Sequence, residues 1–342
     1  MPAHSAVAMG EFDLIKRFFT RPTPRAVLGV GDDCALLQPR PGMLQAISTD
    51  MLVSGRHFFA DVDPRTLGHK ALAVNLSDLA ACGATPVAFT LALALPEADP
   101  AWLAPFAEGM LALADAHGCE LIGGDTTRGP LNICITIFGE VPQGQALLRS
   151  GAQPGDAVYV SGTLGDANLA LTHLLREWEG TEAATSTAAI NLSADAMALA
   201  RARLEQPTPR VALGTALRGI ATSAADISDG LLGDLGHILE RSGVGATLDT
   251  DRALTLMASH QGGANTEAQQ STVLRHVLSG GDDYELVFTA PTSREAAVQA
   301  AAQASQSPVT CIGRIDATPG LRLVDRNGLP VANDFLSFDH FV

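Results

Sequence analysis

The chain has 342 residues, enough for two domains, and 46% of them are hydrophobic, enough for a real core. Its net charge is −15 and its only lysines are Lys16 and Lys70, which argues against a nucleic-acid phosphate binder and an anionic membrane surface, since both need basic patches. The five cysteines, Cys34, Cys82, Cys119, Cys134 and Cys311, form no CxxC and no Cys/His cluster, so no zinc site is indicated and a reducing, cytoplasmic setting is expected.

The opening segment MPAHSAVAMGEFDLIKRFF lacks the charged leader and apolar stretch of a signal peptide. No apolar run reaches the roughly 18 residues that span a bilayer. EFDLIKRFF (11–19) reads as a short amphipathic helix, broken by RPTPR. AVLGVGDDCALL runs strand-like into a glycine turn with the paired acids Asp32 and Asp33. LQAISTDMLV (44–53) is a strand bearing Ser48, Thr49 and Asp50, and the loop SGRHFF after it carries Arg56 and His57.

The stretch from His69 to Pro86, HKALAVNLSDLAACGATP, reads as an apolar helix with a fault in it. Asn75 and Asp78 lie three apart, on one face. A carboxylate among Ala and Leu is costly unless paired or bound to a metal. The plain alternative is a polar stripe that faces water or caps a neighbour.

FTLALAL (89–95) is a strand, and PAWLAPFAEGMLALADAHG is an amphipathic helix with Trp102, Phe106, Met110 and Leu113 on one face and Gly118 as its stop. ELIGGDTTRGP returns as a strand with Asp125, Thr126, Thr127 and Arg128 at its end, and NICITIFGEV is another strand. RSGAQPGD (149–156) is rich in turn formers and marks the expected division into domains 1–149 and 150–342.

AVYVSG reads as a strand and DANLALTHLLREW as a helix. Between them GTLGDA (162–167) suits either an anion at a helix start or a plain turn. Residues 179–190 and 260–272 are expected to be surface excursions, and SADAMALARARL between them is a helix. TSAADISDGLLGDLGHILERSG sets Asp226, Ser228, Asp229 and Asp234 around a helix start. LSGGDDYELVFTAP is a glycine turn with Asp282 and Asp283, then a strand; VTCIGRI and LRLVDRNG are strands. The fold class expected is α/β (α+β), two domains of mixed sheets packed with helices.

Asp-bearing turns thus follow several apolar strands. Asp, Ser and Thr are hard oxygen ligands that suit Mg²⁺. Two carboxylates about 4 Å apart repel by roughly 4 kcal/mol at an effective dielectric near 20, and a divalent cation reverses that sign. A polyphosphate is the natural partner of such a site and phosphoryl transfer its natural chemistry. Any single Gly-Asp turn is more often just a turn. The chain has no GxxxxGK[ST] loop, no HRD or DFG set, no G-x-S-x-G and no HExxH. Arg128 and Arg149 are the few candidate cationic clamps, Asp325 to Gly328 reads as a β-turn rather than a calcium loop, and His57 suits either substrate contact or loop packing.

GEFDLIKRFF, GVGDDCALL, STDMLVSGRHF, KALAVNLSDLAACGATP, IGGDTTRG, RSGAQPGD, DISDGLLGDLGHI and SGGDDYEL, in this order, closely resemble the thiamine-monophosphate kinases, of the aminoimidazole-ribonucleotide synthetase superfamily. The resemblance runs from residue 10 to the C-terminus apart from the two excursions. It implies ATP-dependent phosphorylation of thiamine monophosphate to thiamine diphosphate, and a homodimer built on the N-terminal domains. By position it implies that Asp33, Ser48, Thr49, Asp50, Asp78, Asp125, Asp226 and Asp229 ligate several Mg²⁺ ions, with Asp78 bridging and Asp78, Asp125 and Asp229 central to catalysis. Gly124, Asp125, Arg149 and Ser228 would contact ATP; His57, Asp282 and Phe338 would contact the thiamine end. Asp282 departs from the family's usual Glu. Two other readings stand beside this one: another ATP-dependent synthetase of the superfamily, and a nucleotide- or metal-binding regulator without turnover. A hydrogenase-maturation relative fits less well, because the chain ends HFV without a terminal cysteine, and a selenophosphate synthetase less well, because no Cys–Lys pair lies near the start.

Overall fold

The structure is a computed structural model that describes residues 10–179, 193–260 and 266–335. Contact packing divides it into two compact units, 1–76 with 85–143, and 77–84 with 144–342. The turn-rich stretch at 149–156 therefore lies inside the second unit, where Ala224 N–H donates to the Leu148 carbonyl at 2.9 Å.

The first unit opens on α1 (Glu11–Leu14), which continues as a π-helical turn over Ile15–Phe19 and buries Leu14 and Phe19. The strands β1 (Ala26–Leu28) and β2 (Leu36–Leu37) pair as a small antiparallel ribbon. Then come β3 (Met43–Val53), α2 (Pro64–Ala81), β4 (Thr85–Leu95), α3 (Pro100–Ala116), β5 (Glu120–Arg128) and β6 (Asn132–Pro142). The sheet order is β3-β6-β4-β5, with β4 and β5 parallel across α3 and the other pairs antiparallel.

One face of this sheet is apolar and covered: Ile133, Ile135, Ile137, Leu91 and Leu93 are all buried. The period-2 alternation of a strand puts Ile47 and Met51 on the other face, where they are 58% and 51% exposed. Within this unit α2 and α3 touch backbone to backbone. A Cβ on Gly68 would lie 2.0 Å from the Phe106 carbonyl oxygen, and one on Gly109 would lie 1.9 Å from that of Arg65.

The second unit takes the last turn of α2, from Ser77, and continues with β7 (Ala157–Ser161), α4 (Asp166–Glu179), α5 (Ala194–Glu205), α6 (Val211–Ala216), β8 (Ser223–Ile227) and α7 (Leu231–Ser242). After these come β9 (Gly245–Asp249), α8 (Thr250–Leu254), α9 (Glu267–Ser279), β10 (Glu285–Ala290), α10 (Glu295–Ala304), β11 (Val309–Asp316), β12 (Gly320–Val324) and β13 (Pro330–Val331). Its sheet runs β13-β12-β9-β11-β7-β10-β8, with only β9 and β12 parallel. The strands β7, β8 and β10 are buried along their whole length, so their few polar residues must find partners inside.

The second excursion expected from composition is in part a helix. Thr266 caps α9, its hydroxyl accepting from Gln269 N–H at 3.2 Å, and Val273, Leu274 and Val277 bury its inner face. Residues 261–265 of that excursion and 180–190 of the first lie outside the described residues. The turn at Asp325 is as expected: its carboxylate accepts from Asn327 N–H and Leu329 N–H, both at 2.8 Å.

Candidate active site

In the first unit the expected ligands fall into two groups. Ser48 and Asp50 are half-buried on β3, on the face covered by helix, and Thr49 is exposed on the other face, where its hydroxyl meets that of Thr136 at 2.9 Å. Asn75 in α2 is 1% exposed and braces this strand. Its Oδ1 accepts from Asp50 N–H at 3.2 Å and its Nδ2 donates to the Ala71 carbonyl at 3.0 Å. Of the two polar residues in the apolar helix, Asn75 is thus a brace for the Asp50 strand.

The second group is Asp33, Gly124 and Asp125. They line one cavity of about 600 Å³, whose apolar wall includes Phe12, Phe19 and Leu91. Leu91 pairs with Gly124 in the parallel ladder. Gly124 has φ of +146°, and a Cβ there would lie 1.8 Å from the Leu91 carbonyl oxygen, so only glycine fits.

The strands that carry these two groups, β3 and β5, are separated by β6 and β4. Asp50 faces Ile135 on β6, Ile135 faces Leu91 on β4, and Leu91 faces Gly124 on β5. Three strand spacings of about 4.8 Å put the Asp50 and Gly124 backbones roughly 14 Å apart along the sheet. Asp50 and Asp125 therefore sit on opposite edge strands, in adjacent rows towards the same, C-terminal end of β3, β4 and β5.

His57 lies in the turn after β3, half-buried, with its Nδ1 accepting from Val53 N–H at 3.0 Å. That bond leaves the proton of the neutral ring on Nε2.

In the second unit Asp226, Ser228 and Asp229 lie on and just after β8. Asp226 is 6% exposed, and its Oδ2 accepts from Ser77 Oγ at 2.9 Å. Ser77 is fully buried and immediately precedes Asp78, itself half-buried. Asp234, in the first turn of α7, accepts from both Ser228 N–H and Asp229 N–H at 3.1 Å. It shapes the loop that presents Asp229. Burial, and then the charge of Asp229, push the Asp234 carboxyl up to about 7, although the two backbone donors pull the other way.

Arg149 is exposed beside a cavity of about 400 Å³ shared with His237 and Arg241. Its backbone is held by Ser242 at the end of α7, whose hydroxyl donates to the Arg149 carbonyl at 3.3 Å and accepts from Gly151 and Ala152 N–H at 3.1 and 3.2 Å.

Asp282 adopts φ of +67° and Tyr284 φ of +52°. The Tyr284 hydroxyl donates to Asp282 Oδ1 at 3.4 Å, and Asp282 N–H donates to the Ser228 carbonyl at 2.9 Å, which sets the Asp282 turn against the Ser228 loop. The GTLGDA segment does receive an acidic side chain, and it is internal. The fully buried Asp283 carboxylate accepts from Gly165 N–H with both oxygens, at 3.1 and 2.9 Å. Burial, despite that donor, holds the Asp283 carboxyl well above the ordinary carboxylate range. Phe338 lies outside the described residues.

Ser77, Asn75 and Asp234 support the acids without being among the residues expected to contact ligands. Their signal in the sequence was position: each sits within a few residues of an expected ligand, at helix spacing or in a helix first turn.

Both halves of the chain match family models, residues 31–141 that of the AIR synthase related protein N-terminal domain and residues 153–326 that of its C-terminal domain. The chain is 47% identical to the thiamine-monophosphate kinase of Salmonella typhimurium over 339 residues, 98% of this chain and 99% of the relative. It is 43% identical to that of Haemophilus influenzae, over 98% of this chain and 99% of the relative. A crystal structure of thiamine-monophosphate kinase from Stenotrophomonas maltophilia superposes with a TM-score of 0.80 at 45% identity, covering 95% of this chain and 99% of that one. The structure described as AaThiL complexed with AMPPCP and TMP superposes with a TM-score of 0.71 at 28% identity, covering 89% of each chain. Hydrogenase maturation protein HypE shares the fold, with a TM-score of 0.70 at 20% identity, covering 95% of this chain and 97% of that one.

Proposed function

The chain belongs to the thiamine-monophosphate kinase family, and on that premise we propose that it transfers the γ-phosphoryl group of ATP to thiamine monophosphate, making thiamine diphosphate. The observation that carries this reading is near-full-length identity of 47% to a thiamine-monophosphate kinase. It is joined by the neighbour solved with AMPPCP and TMP.

Magnesium is part of the reading. The candidate donors are all hard oxygens, and no ion pair among the described residues reaches Asp33, Asp125 or Asp229. These are carboxylates open to a cation. No three His, Cys, Asp or Glu among the described residues converge on one point. Ions held at Asp33 and Asp125, or at Asp226 and Asp229, would therefore complete their shells with water and phosphate oxygens, as Mg²⁺ commonly does. Such ions supply charge neutralisation between the two phosphates. Ser48, Thr49, Asp50 and Asp78 are the further ligands of the proposal.

The chain's own groups do the positioning. Gly124, fitted against the Leu91 carbonyl, sets the backbone that leads into Asp125, Arg149 offers a guanidinium fork, and the Ser228 loop is braced by Asp234. His57 Nε2–H and Asp282 serve the thiamine end.

In the step itself a terminal phosphate oxygen of thiamine monophosphate forms a bond to the γ-phosphorus. The bond from that phosphorus to the bridging oxygen breaks, and ADP leaves with the electron pair. A phosphate monoester has its second pKa at about 6, so the attacking oxygen is already deprotonated at pH 7 and needs no strong general base. A homodimer through the first unit is supported by the exposed Ile47 and Met51 on the open sheet face. A cytoplasmic setting accords with the absence, among the described residues, of any helix long and apolar enough to cross a membrane.

The test is ADP release from Mg-ATP with and without thiamine monophosphate, beside Asp78→Ala. ADP is expected only with thiamine monophosphate, in equal amount to thiamine diphosphate, and not from the variant. ATP turnover indifferent to thiamine monophosphate would overturn the substrate. ATP–ADP exchange without the second substrate would replace direct transfer by a phosphoenzyme.

A further inference from the structure

The turn 282–284 is held in a conformation it would not choose. Left-handed backbone suits Asp tolerably, but Tyr284 at φ of +52° is an outlier for a bulky side chain. Such strain persists only where the surroundings over-determine it. The surroundings here are a buried charge network reached from three elements.

Glu285, fully buried at the start of β10, accepts from Arg210 Nε and Nη2 at 2.6 and 2.5 Å, from Ser161 Oγ at 2.6 Å and from Arg203 Nη2 at 2.8 Å. The same Arg203 nitrogen donates to the Asp283 carbonyl at 3.1 Å and leans on that of Thr163 at 3.4 Å. Arg203 thus ties the peptide between the two left-handed residues to strand β10 and to the Gly162–Gly165 loop. The cost is visible: Arg203 Nε is buried with no partner, so the guanidinium is aimed at these carbonyls at the expense of its own hydrogen bonding.

We propose that Arg203 is a positioning residue for the thiamine monophosphate end of the site. It acts through the 282–284 turn, fixing the direction of the Asp282 carboxylate; this rests on the reading above that Asp282 contacts that substrate. Glu285 needs Arg203 less than the turn does, because Arg210 already pairs with both of its oxygens. Removing Arg203 therefore frees the turn without stranding the buried carboxylate.

The experiment is steady-state kinetics of the full-length enzyme with Arg203→Met, Asp282→Ala and the double variant, with amide hydrogen exchange of the 280–285 segment. Expected for Arg203→Met is a KM for thiamine monophosphate raised about tenfold or more, a KM for ATP within twofold, and faster exchange at 282–284. Because both act on one contact, the double variant is expected to raise that KM no further than Asp282→Ala alone. An Arg203→Met enzyme with an unchanged KM for thiamine monophosphate, beside an impaired Asp282→Ala enzyme, would overturn the positioning role. So would equal losses for both substrates, or additive effects in the double variant. An Asp282→Ala enzyme with an unchanged KM for thiamine monophosphate would instead remove the substrate contact, and the inference with it.

Discussion

Gly124→Ala is the substitution for which the structure gives the firmest magnitude. The new methyl would meet the carbonyl oxygen, carbonyl carbon and nitrogen of Leu91 at 1.8, 2.6 and 2.8 Å, all backbone atoms that cannot rotate aside. Reaching an ordinary contact needs a shift of more than an ångström between β4 and β5. Overpacking of this kind costs about 1–3 kcal/mol, and forcing a side chain onto φ of +146° adds roughly 1–3 kcal/mol of backbone strain. The expected loss of stability is thus about 2–6 kcal/mol. Asp125 follows directly on this strand, and a misplacement near 1 Å costs about a hundredfold in rate. The assay is kcat/KM for ADP formation with thiamine monophosphate, together with the urea midpoint of unfolding. Gly123→Ala is the control, because its Cβ would meet nothing closer than Thr90 Cγ2 at 3.9 Å. A Gly124→Ala enzyme as stable and active as Gly123→Ala would refute the close approach. A destabilised variant with full activity would refute the dependence of Asp125 on it.

Three further outcomes are expected. Ser77→Ala removes a hydrogen bond to a buried carboxylate and is expected to cost about 1.5–3 kcal/mol and to weaken Mg-ATP binding, read by urea unfolding and calorimetry; unchanged nucleotide affinity would remove Ser77 from the support of Asp226. Burial, then the charges of Arg176 and Arg275, depress His276 to about 4, so the neutral ring stabilises the fold above its unfolded pKa near 6.5, and that stability is lost as the pH falls from about 6.5 towards 4. The lost stability is on the order of 3 kcal/mol, and the difference in urea midpoint between wild type and His276→Gln should change across this window and be flat above pH 7. Burial pushes the Cys119 thiol up to about 12, while Cys34 is exposed; a maleimide is therefore expected to label Cys34 in the native protein and to spare Cys119 until the chain unfolds, as peptide mapping can check.

Strong local patterns were legible in the chain itself. The long apolar helix, α3 with its Phe106 and Met110 stripe, the alternating β3 and the Asp-bearing turns all declare themselves through periodicity and turn chemistry, which are local properties. The order of the motifs carried the family, and with it the residues expected at the site. Helices α6, α9 and α10 escaped that reading, because their short or Ala- and Gln-rich segments gain definition from packing and capping against neighbours distant in sequence.

The tertiary structure decided which polar residues work together. Asn75 braces Asp50 across 25 positions and Ser77 holds Asp226 across 149. The partner of the GTLGDA loop is Asp283, 118 positions away from Gly165. Strand order likewise put Asp50 and Asp125 on opposite edge strands. A residue's type and its local period determine what it can do; which partner satisfies a buried charge depends on strand order and helix placement, and those are settled by the burial of the whole chain.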